Sequence, residues 1–277
     1  MRRPEHTAEQ GWLVVAQNSS TVDYADLAYT LALSIRATQS VKLVCLVTDQ
    51  ATLDAMSDKQ RAAFYHIALL DNPADNAFEN DWQIWGLSPF KETIKVEADC
   101  VVPISLDYMW NYLRNRDVAI AVGAMDHRGQ RYTGDKYRSF YAANYLPDVY
   151  NGLTYWRYTR TSAEFFTLLK TLTLNWPTVV EQYKFMPREL STDTLYAVAA
   201  QIFGEERVTL PDWSWTHMKP AVLDLPETAA WQDTMMASVN QQGVFIGGYR
   251  QSNVLHYHTK DAAFITELQE YYERITV

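Results

Sequence analysis

Ile94-Lys95-Val96-Glu97-Ala98-Asp99-Cys100-Val101-Val102 is a β-rich apolar run that carries two carboxylates two residues apart. In a strand, residues i and i+2 face the same way, so the run sets Glu97 and Asp99 side by side at a strand's carboxyl edge. Open α/β sheets bind their ligands at that edge. Hard cations such as Mg²⁺ and Mn²⁺ prefer oxygen donors and bridge them to nucleotide phosphates. The plain alternative is a solvated strand end bearing two acids, because short acidic pairs recur by chance. The surrounding pattern has to separate the two.

Working outward, Trp12 to Ala16 reads as a buried strand, Asp23 to Thr38 as a helix with Leu27, Leu31 and Ile35 on one face, and Lys42 to Val47 as a second buried strand. A helix over Leu53 to Tyr65 and a short strand over His66 to Leu70 follow. This βαβαβ order implies a parallel, doubly wound sheet. Beyond the acidic run come a helix over Leu106 to Arg114 and a strand over Val118 to Val122. Gly123 to Lys136 is polar and reads as a long mobile loop beside a site. Val149 to Tyr158 reads as a strand. Thr161 to Leu174 and Ser191 to Phe203 read as helices, the second with Ser191 as N-cap and Asp193 in its first turn. Short strands over Val244 to Gly247 and Val254 to Tyr257, then a helix over Asp261 to Arg274, close the chain. Repeats, low-complexity tracts and linkers are missing, so one α/β domain with a mostly parallel central sheet is expected over residues 1–277.

The formal charge of −9 argues against broad affinity for nucleic acid, which rests on Lys and Arg neutralising phosphates, although a local basic cleft remains compatible with it. The 13% aromatic content suits groove walls for a flat base or sugar as well as core. Cys45 and Cys100 lie in apolar runs and form neither a disulfide framework nor a CxxC pattern, which suggests reduced, buried thiols in a cytoplasmic protein. No stretch approaches the roughly 20 apolar residues of a membrane span. The polar start from Met1 to Gln10 does not read as a signal peptide. A cytoplasmic location without membrane partners is therefore expected.

Taken in order, these pieces resemble the GT-A glycosyltransferases, which transfer sugars from nucleotide donors on a Rossmann-like αβα domain with a D-x-D metal motif. Gln17, Asn18 and Tyr24 resemble the end of the first strand and the loop that hold the nucleoside. Glu97-Ala98-Asp99 takes the place of the metal motif, with Glu replacing its usual first Asp. That departure leaves Asp99 as the metal ligand and gives Glu97 a ribose or outer contact. Tyr150-Asn151-Gly152-Leu153-Thr154 looks like the strand lining the sugar pocket, and Ser191-Thr192-Asp193-Thr194-Leu195 like the helix start that presents an acid to the transferred sugar. His256-Tyr257-His258-Thr259-Lys260 is similar to the late strand that completes the metal shell and meets the diphosphate, with His256 and His258 competing as ligand. Ser88-Pro89-Phe90-Lys91, Leu146-Pro147-Asp148-Val149-Tyr150 and Thr216-His217-Met218-Lys219 narrow the likeness to glycosyltransferases of tailed, T-even-like bacteriophages. Some of those modify hydroxymethylated pyrimidines in phage DNA.

The resemblance implies a nucleotide-sugar half over 1–122, an acceptor half over 123–277, a Mn²⁺ or Mg²⁺ cofactor and a UDP-sugar donor. Asp193 becomes the residue nearest the reacting centre. It is a base if transfer inverts the anomeric carbon and an orienting group if it retains; as plain structure it stabilises the helix N-terminus. Asn151, Gly152 and Thr154 would meet the sugar, and Lys260 the diphosphate. Tyr137 and Arg138, with Arg128, Arg131 and Lys136, form one candidate acceptor wall; Trp213, Trp215, His217 and Lys219 form another. A solvated loop and an aromatic-faced strand are the respective structural alternatives. Transfer to a glycan or small molecule, or sugar-nucleotide binding without turnover, remain competing readings. A nucleotidyltransferase would be expected to carry a Gly- and basic-rich loop after its first strand, whereas Gln17 to Asp23 contains no Gly, Lys or Arg.

Overall fold

Apolar alternation along β1 (Ala8–Ala16) builds the centre of the fold. Trp12, Val14 and Ala16 pack into one buried cluster, while Leu13 and Val15 join a second on the opposite face, as the period of two requires. The structure is a computed structural model that describes residues 6–131, 138–184, 187–211, 215–217, 236–257 and 261–276.

β2 (Val44–Thr48) and β4 (Phe90–Val96) flank β1 in parallel, and β3 (His66–Leu69) extends the sheet beyond β2. On the other side β8 (Val149–Arg157) runs antiparallel to β4 and to β6 (Val118–Val122), and β9 (Thr209–Pro211) pairs in parallel with β6. The resulting seven-stranded sheet has the order β3-β2-β1-β4-β8-β6-β9. β8 is its one reversed strand, so the sheet is mostly parallel, as expected. One face is covered by the helices Tyr24–Thr38 and Ala262–Ile275, through Leu27, Leu31, Leu268 and Tyr272. The other is covered by the helices Arg160–Leu174 and Thr192–Phe203, through Phe165, Phe166, Leu169 and Tyr196. These layers make an αβα sandwich.

A second sheet joins β5 (Cys100–Val101), β7 (Met125–Asp126), β10 (Trp215–His217) and β14 (Val254–His256) in the order β5-β14-β10-β7. β11 (Ala237–Asn240), β12 (Gly243–Ile246) and β13 (Tyr249–Arg250) form a small antiparallel sheet.

Three expectations need correction. The acidic run is not one strand: β4 stops at Val96 and β5 begins at Cys100, because β5 pairs with β14 in the other sheet. Glu97 and Asp99 therefore sit in the passage between sheets. The helix expected from Leu53 to Tyr65 divides into Gln50–Ala55 and Asp58–Arg61, since Ser57 and Gln60 form a capping box that starts a new helix. The loop expected from Gly123 is structured as far as Arg131. β7 pairs with β10 there, and the Asp126 carboxylate accepts the backbone N–H groups of Arg128 at 2.8 Å and Gln130 at 2.9 Å.

Candidate functional site

The site forms where the chain leaves the parallel strands. β1 hands over Gln17 and Asn18 after Ala16, β2 hands over Asp49 after Thr48, and β4 hands over Glu97 after Val96. A cavity of about 620 Å³ opens at these carboxyl ends, with Gln17, Asn18, Tyr24, Asp49, Glu97 and Asp99 in its wall. Small-molecule sites span roughly 300–1,000 Å³ and favour this edge of an open sheet.

At one end the wall residues brace each other. Gln17 donates to Asp49 at 3.2 Å and accepts from Asn80 at 2.9 Å. Asn18 accepts the Ala25 N–H at 2.9 Å, which ties the loop to the first helix. Tyr24 is half-buried, facing the cavity while also packing against the core.

At the other end, β-pairing delivers a cluster from two separate segments, the passage between β4 and β5 and the end of β14. Glu97 donates its backbone N–H to the Gly152 carbonyl at 3.1 Å, which continues the β4–β8 register past Val96. Cys100 pairs with His256, and Asp99 accepts the Tyr257 N–H at 3.1 Å. His256 Nε2 consequently lies 3.1 Å from Asp99 Oδ2. Donor atoms of Glu97, Asp99 and His256 all fall within 4.8 Å of one another. Oxygen donors about 2.1 Å from a Mg²⁺-sized ion stand about 3.0 Å apart when adjacent, and the 3.1 Å between Asp99 and His256 matches that adjacent spacing. Two carboxylates with one imidazole can hold a divalent cation. Burial pushes the Glu97 carboxyl up to about 7; His256 and Lys95 pull it down, while Asp99 and Asp193 push it further up. A dication would hold it ionised.

A smaller cavity of about 140 Å³ adjoins the first, sharing Phe78, Glu97 and His256 with it and adding Tyr150, Gly152 and Asp193. Ser191 caps the helix Thr192–Phe203 by accepting the Thr194 N–H, which places Asp193 in the first turn. Asp193 Oδ1 accepts the Asn151 N–H at 2.8 Å, and Oδ2 lies 3.0 Å from Arg138 Nη2. Arg138 also reaches Asp148 at 2.9 Å and the Val149 carbonyl at 2.7 Å. It was expected on an open acceptor wall, but its side chain is only 10% exposed. Arg128 likewise turns back onto Asp126, at 3.3 Å, while Arg131 is exposed.

Asn151 and Thr154 are fully buried. The Asn151 amide donates to Asp81 at 3.3 Å and accepts from Thr154 at 2.6 Å, so both side chains lie behind the cavities and the Asn151 backbone holds Asp193. Trp215 and His217 are placed as backbone of β10. Tyr137, Trp213, Lys219, His258 and Lys260, with Lys136, lie outside the described residues.

The sequence reading passed over Asp81, Lys95 and Phe78. Lys95 Nζ lies 3.0 Å from Asp81 with both side chains at most 5% exposed, and Tyr196 donates to the same carboxylate. Lys95 was visible in the quoted run, but its partner is 14 residues away with no helical or strand spacing to signal it. Phe78 is 48% exposed, on a short 3-10 helix, and touches both cavities. An exposed ring without a motif around it carries no sequence signal.

No family model matches the sequence. No curated protein matches it either. Among solved structures, the chain is similar to the galactosyltransferase LgtC in complex with donor and acceptor sugar analogues, at 11% identity and a TM-score of 0.51, covering 96% of this chain and 94% of that one. It is also similar to mouse xyloside xylosyltransferase 1, at 10% identity and a TM-score of 0.50, covering 92% of this chain and 98% of that one. At these identities the likeness speaks for the fold, and the fold is that of the GT-A glycosyltransferases.

Proposed function

We propose that this chain is a metal-dependent glycosyltransferase that moves a sugar from a nucleotide sugar, taken to be a UDP-sugar, to an acceptor hydroxyl. The observation that carries this reading is the Glu97–Asp99–His256 cluster at the junction of two cavities on the carboxyl edge of the sheet. The larger cavity suits the nucleotide and the smaller one the sugar. When bound there, a divalent cation supplies Lewis acidity against the charge of the departing diphosphate. Asp99 and His256 would hold it, Glu97 would complete the shell or meet the ribose, and Gln17, Asn18 and Tyr24 would hold the nucleoside. Asp193 faces the smaller cavity from a braced position, where each oxygen already accepts one N–H and retains capacity for a sugar hydroxyl. Lys260 and the wall formed by Tyr137, Trp213, Trp215, His217 and Lys219 keep their proposed roles at the diphosphate and the acceptor.

The preferred acceptor is 5-hydroxymethylpyrimidine in phage DNA, on the strength of the phage-like segments. A sugar acceptor is the second reading. It is favoured by the formal charge of −9, which opposes broad affinity for a polyanion, and by the xyloside and acceptor sugar named for the two structural neighbours. The deciding experiment incubates the protein with Mn²⁺, a panel of UDP-sugars, and DNA containing cytosine or 5-hydroxymethylcytosine, then measures nucleoside masses after digestion. A sugar increment confined to modified DNA supports the first acceptor. Donor consumption without any increment moves the acceptor to glycans.

A further inference from the structure

We infer that Arg138 is a positioning residue that holds Asp193 for sugar transfer, not a contact to the acceptor. The inference rests on the proposed transferase reading and adds a part to that same site.

Arg138 is committed on every side. Nη2 meets Asp193 at 3.0 Å, and Nη1 meets Asp148 at 2.9 Å and the Val149 carbonyl at 2.7 Å. The guanidinium lies over the Tyr141 and Tyr150 rings, 4.0 and 4.3 Å from their centroids. Such ring contacts hold a guanidinium plane through cation–π attraction and stacking, and with 10% of the side chain exposed little of it is left for an acceptor phosphate or base.

Asp193 behaves differently, because one third of its side chain remains exposed and it lines the smaller cavity together with Glu97 and His256. Its helix N-terminus already favours a negative charge, so the carboxylate does not need Arg138 merely to be tolerated. What Arg138 adds is orientation. With the Asn151 N–H on Oδ1 and the guanidinium on Oδ2, turning the carboxylate breaks two hydrogen bonds at once. Placement of a reacting or orienting group to within an ångström is worth on the order of 100-fold in rate. Because Asp193 would act on the donor sugar, loss of Arg138 should slow donor hydrolysis and transfer alike. An acceptor contact would affect transfer alone.

The test compares the wild type with Arg138→Ala, Arg138→Lys and, as control, Arg160→Ala, whose side chain is 93% exposed at the start of the helix Arg160–Leu174 and lines neither cavity. The readouts are Mn²⁺-dependent hydrolysis of UDP-glucose, UDP-galactose and UDP-xylose, calorimetric binding of UDP, and thermal unfolding. Expected for Arg138→Ala is a fall in kcat on the order of 100-fold, with UDP affinity held within about twofold and partial rescue by added guanidinium ion. Arg138→Lys keeps the charge but lacks the planar fork, so it should fall in between; it also stands in if the Ala variant does not fold. Unchanged hydrolysis in the Arg138 variants overturns the inference and leaves the transferase reading intact. Equal losses of kcat, UDP affinity and thermal stability without rescue also overturn it, in favour of a purely structural ion pair. A wild type that hydrolyses no UDP-sugar defeats the transferase reading itself, and the inference with it.

Discussion

Asp99 reaches the cluster with Glu97 and His256 because the chain changes sheets beside it, and its own side chain adds little to the core. Asp99→Ala is therefore expected to abolish Mn²⁺ binding and donor turnover while thermal unfolding stays cooperative near the wild-type temperature; calorimetry and melting curves check both halves. Lys95 is the opposite case. Its ammonium is buried against Asp81, so Lys95→Met strands a buried carboxylate. Losing one partner of such a pair costs about 3–5 kcal/mol, measurable by urea unfolding without metal. Asp99, Asp193 and His256 were legible because each lies in a local pattern: an acidic pair after a strand, a capped helix start, a late strand. Asp81, Phe78 and the Arg138–Asp193 pair were not, since only the tertiary fold brings their partners together.

The strands that position the site depend on close packing at a few points. A Cβ on Gly11 in β1 would stand 2.3 Å from the Phe90 ring on β4, and that ring is itself buried. Gly11→Ala should thus destabilise the protein by about 1–3 kcal/mol through overpacking, and Phe90→Leu in the same chain should recover part of the loss; denaturant titration of both variants checks it. At the helix Thr192–Phe203, Ser191→Ala removes the cap on the Thr194 N–H, worth about 1 kcal/mol. It should also lower donor turnover while leaving Mn²⁺ affinity unchanged, because Asp193 rides on that first turn. Most of these elements were readable from apolar periodicity. The reversed direction of β8, the break that makes β5 a separate strand and the two-residue β7 were not, because they exist only through their partners, whereas β10 falls in the segment that also read as an aromatic-faced strand.

For the molecule as a whole, the sheet's carboxyl edge concentrates negative charge that a cation would compensate. Among the described residues, no helix is long and apolar enough to cross a membrane. Glu97 titrates near 7 in the fold against an ordinary value of 4.5, so the folded state binds more protons than the unfolded one between those values. This group's contribution to apo stability therefore falls as pH rises from about 4.5 through about 7. A dication offsets that loss and competes with the proton. Mn²⁺ should accordingly raise the melting temperature more at pH 8 than at pH 6, by calorimetric scans with and without chelator. The most direct measurement is hydrolysis of a UDP-sugar panel by the wild type and Asp99→Ala, with Mn²⁺ or with EDTA. Turnover of at least one donor by the wild type with Mn²⁺ alone, lost in EDTA and in the variant, is the predicted result; metal-independent turnover, normal turnover by Asp99→Ala, or no turnover of any donor would contradict the account.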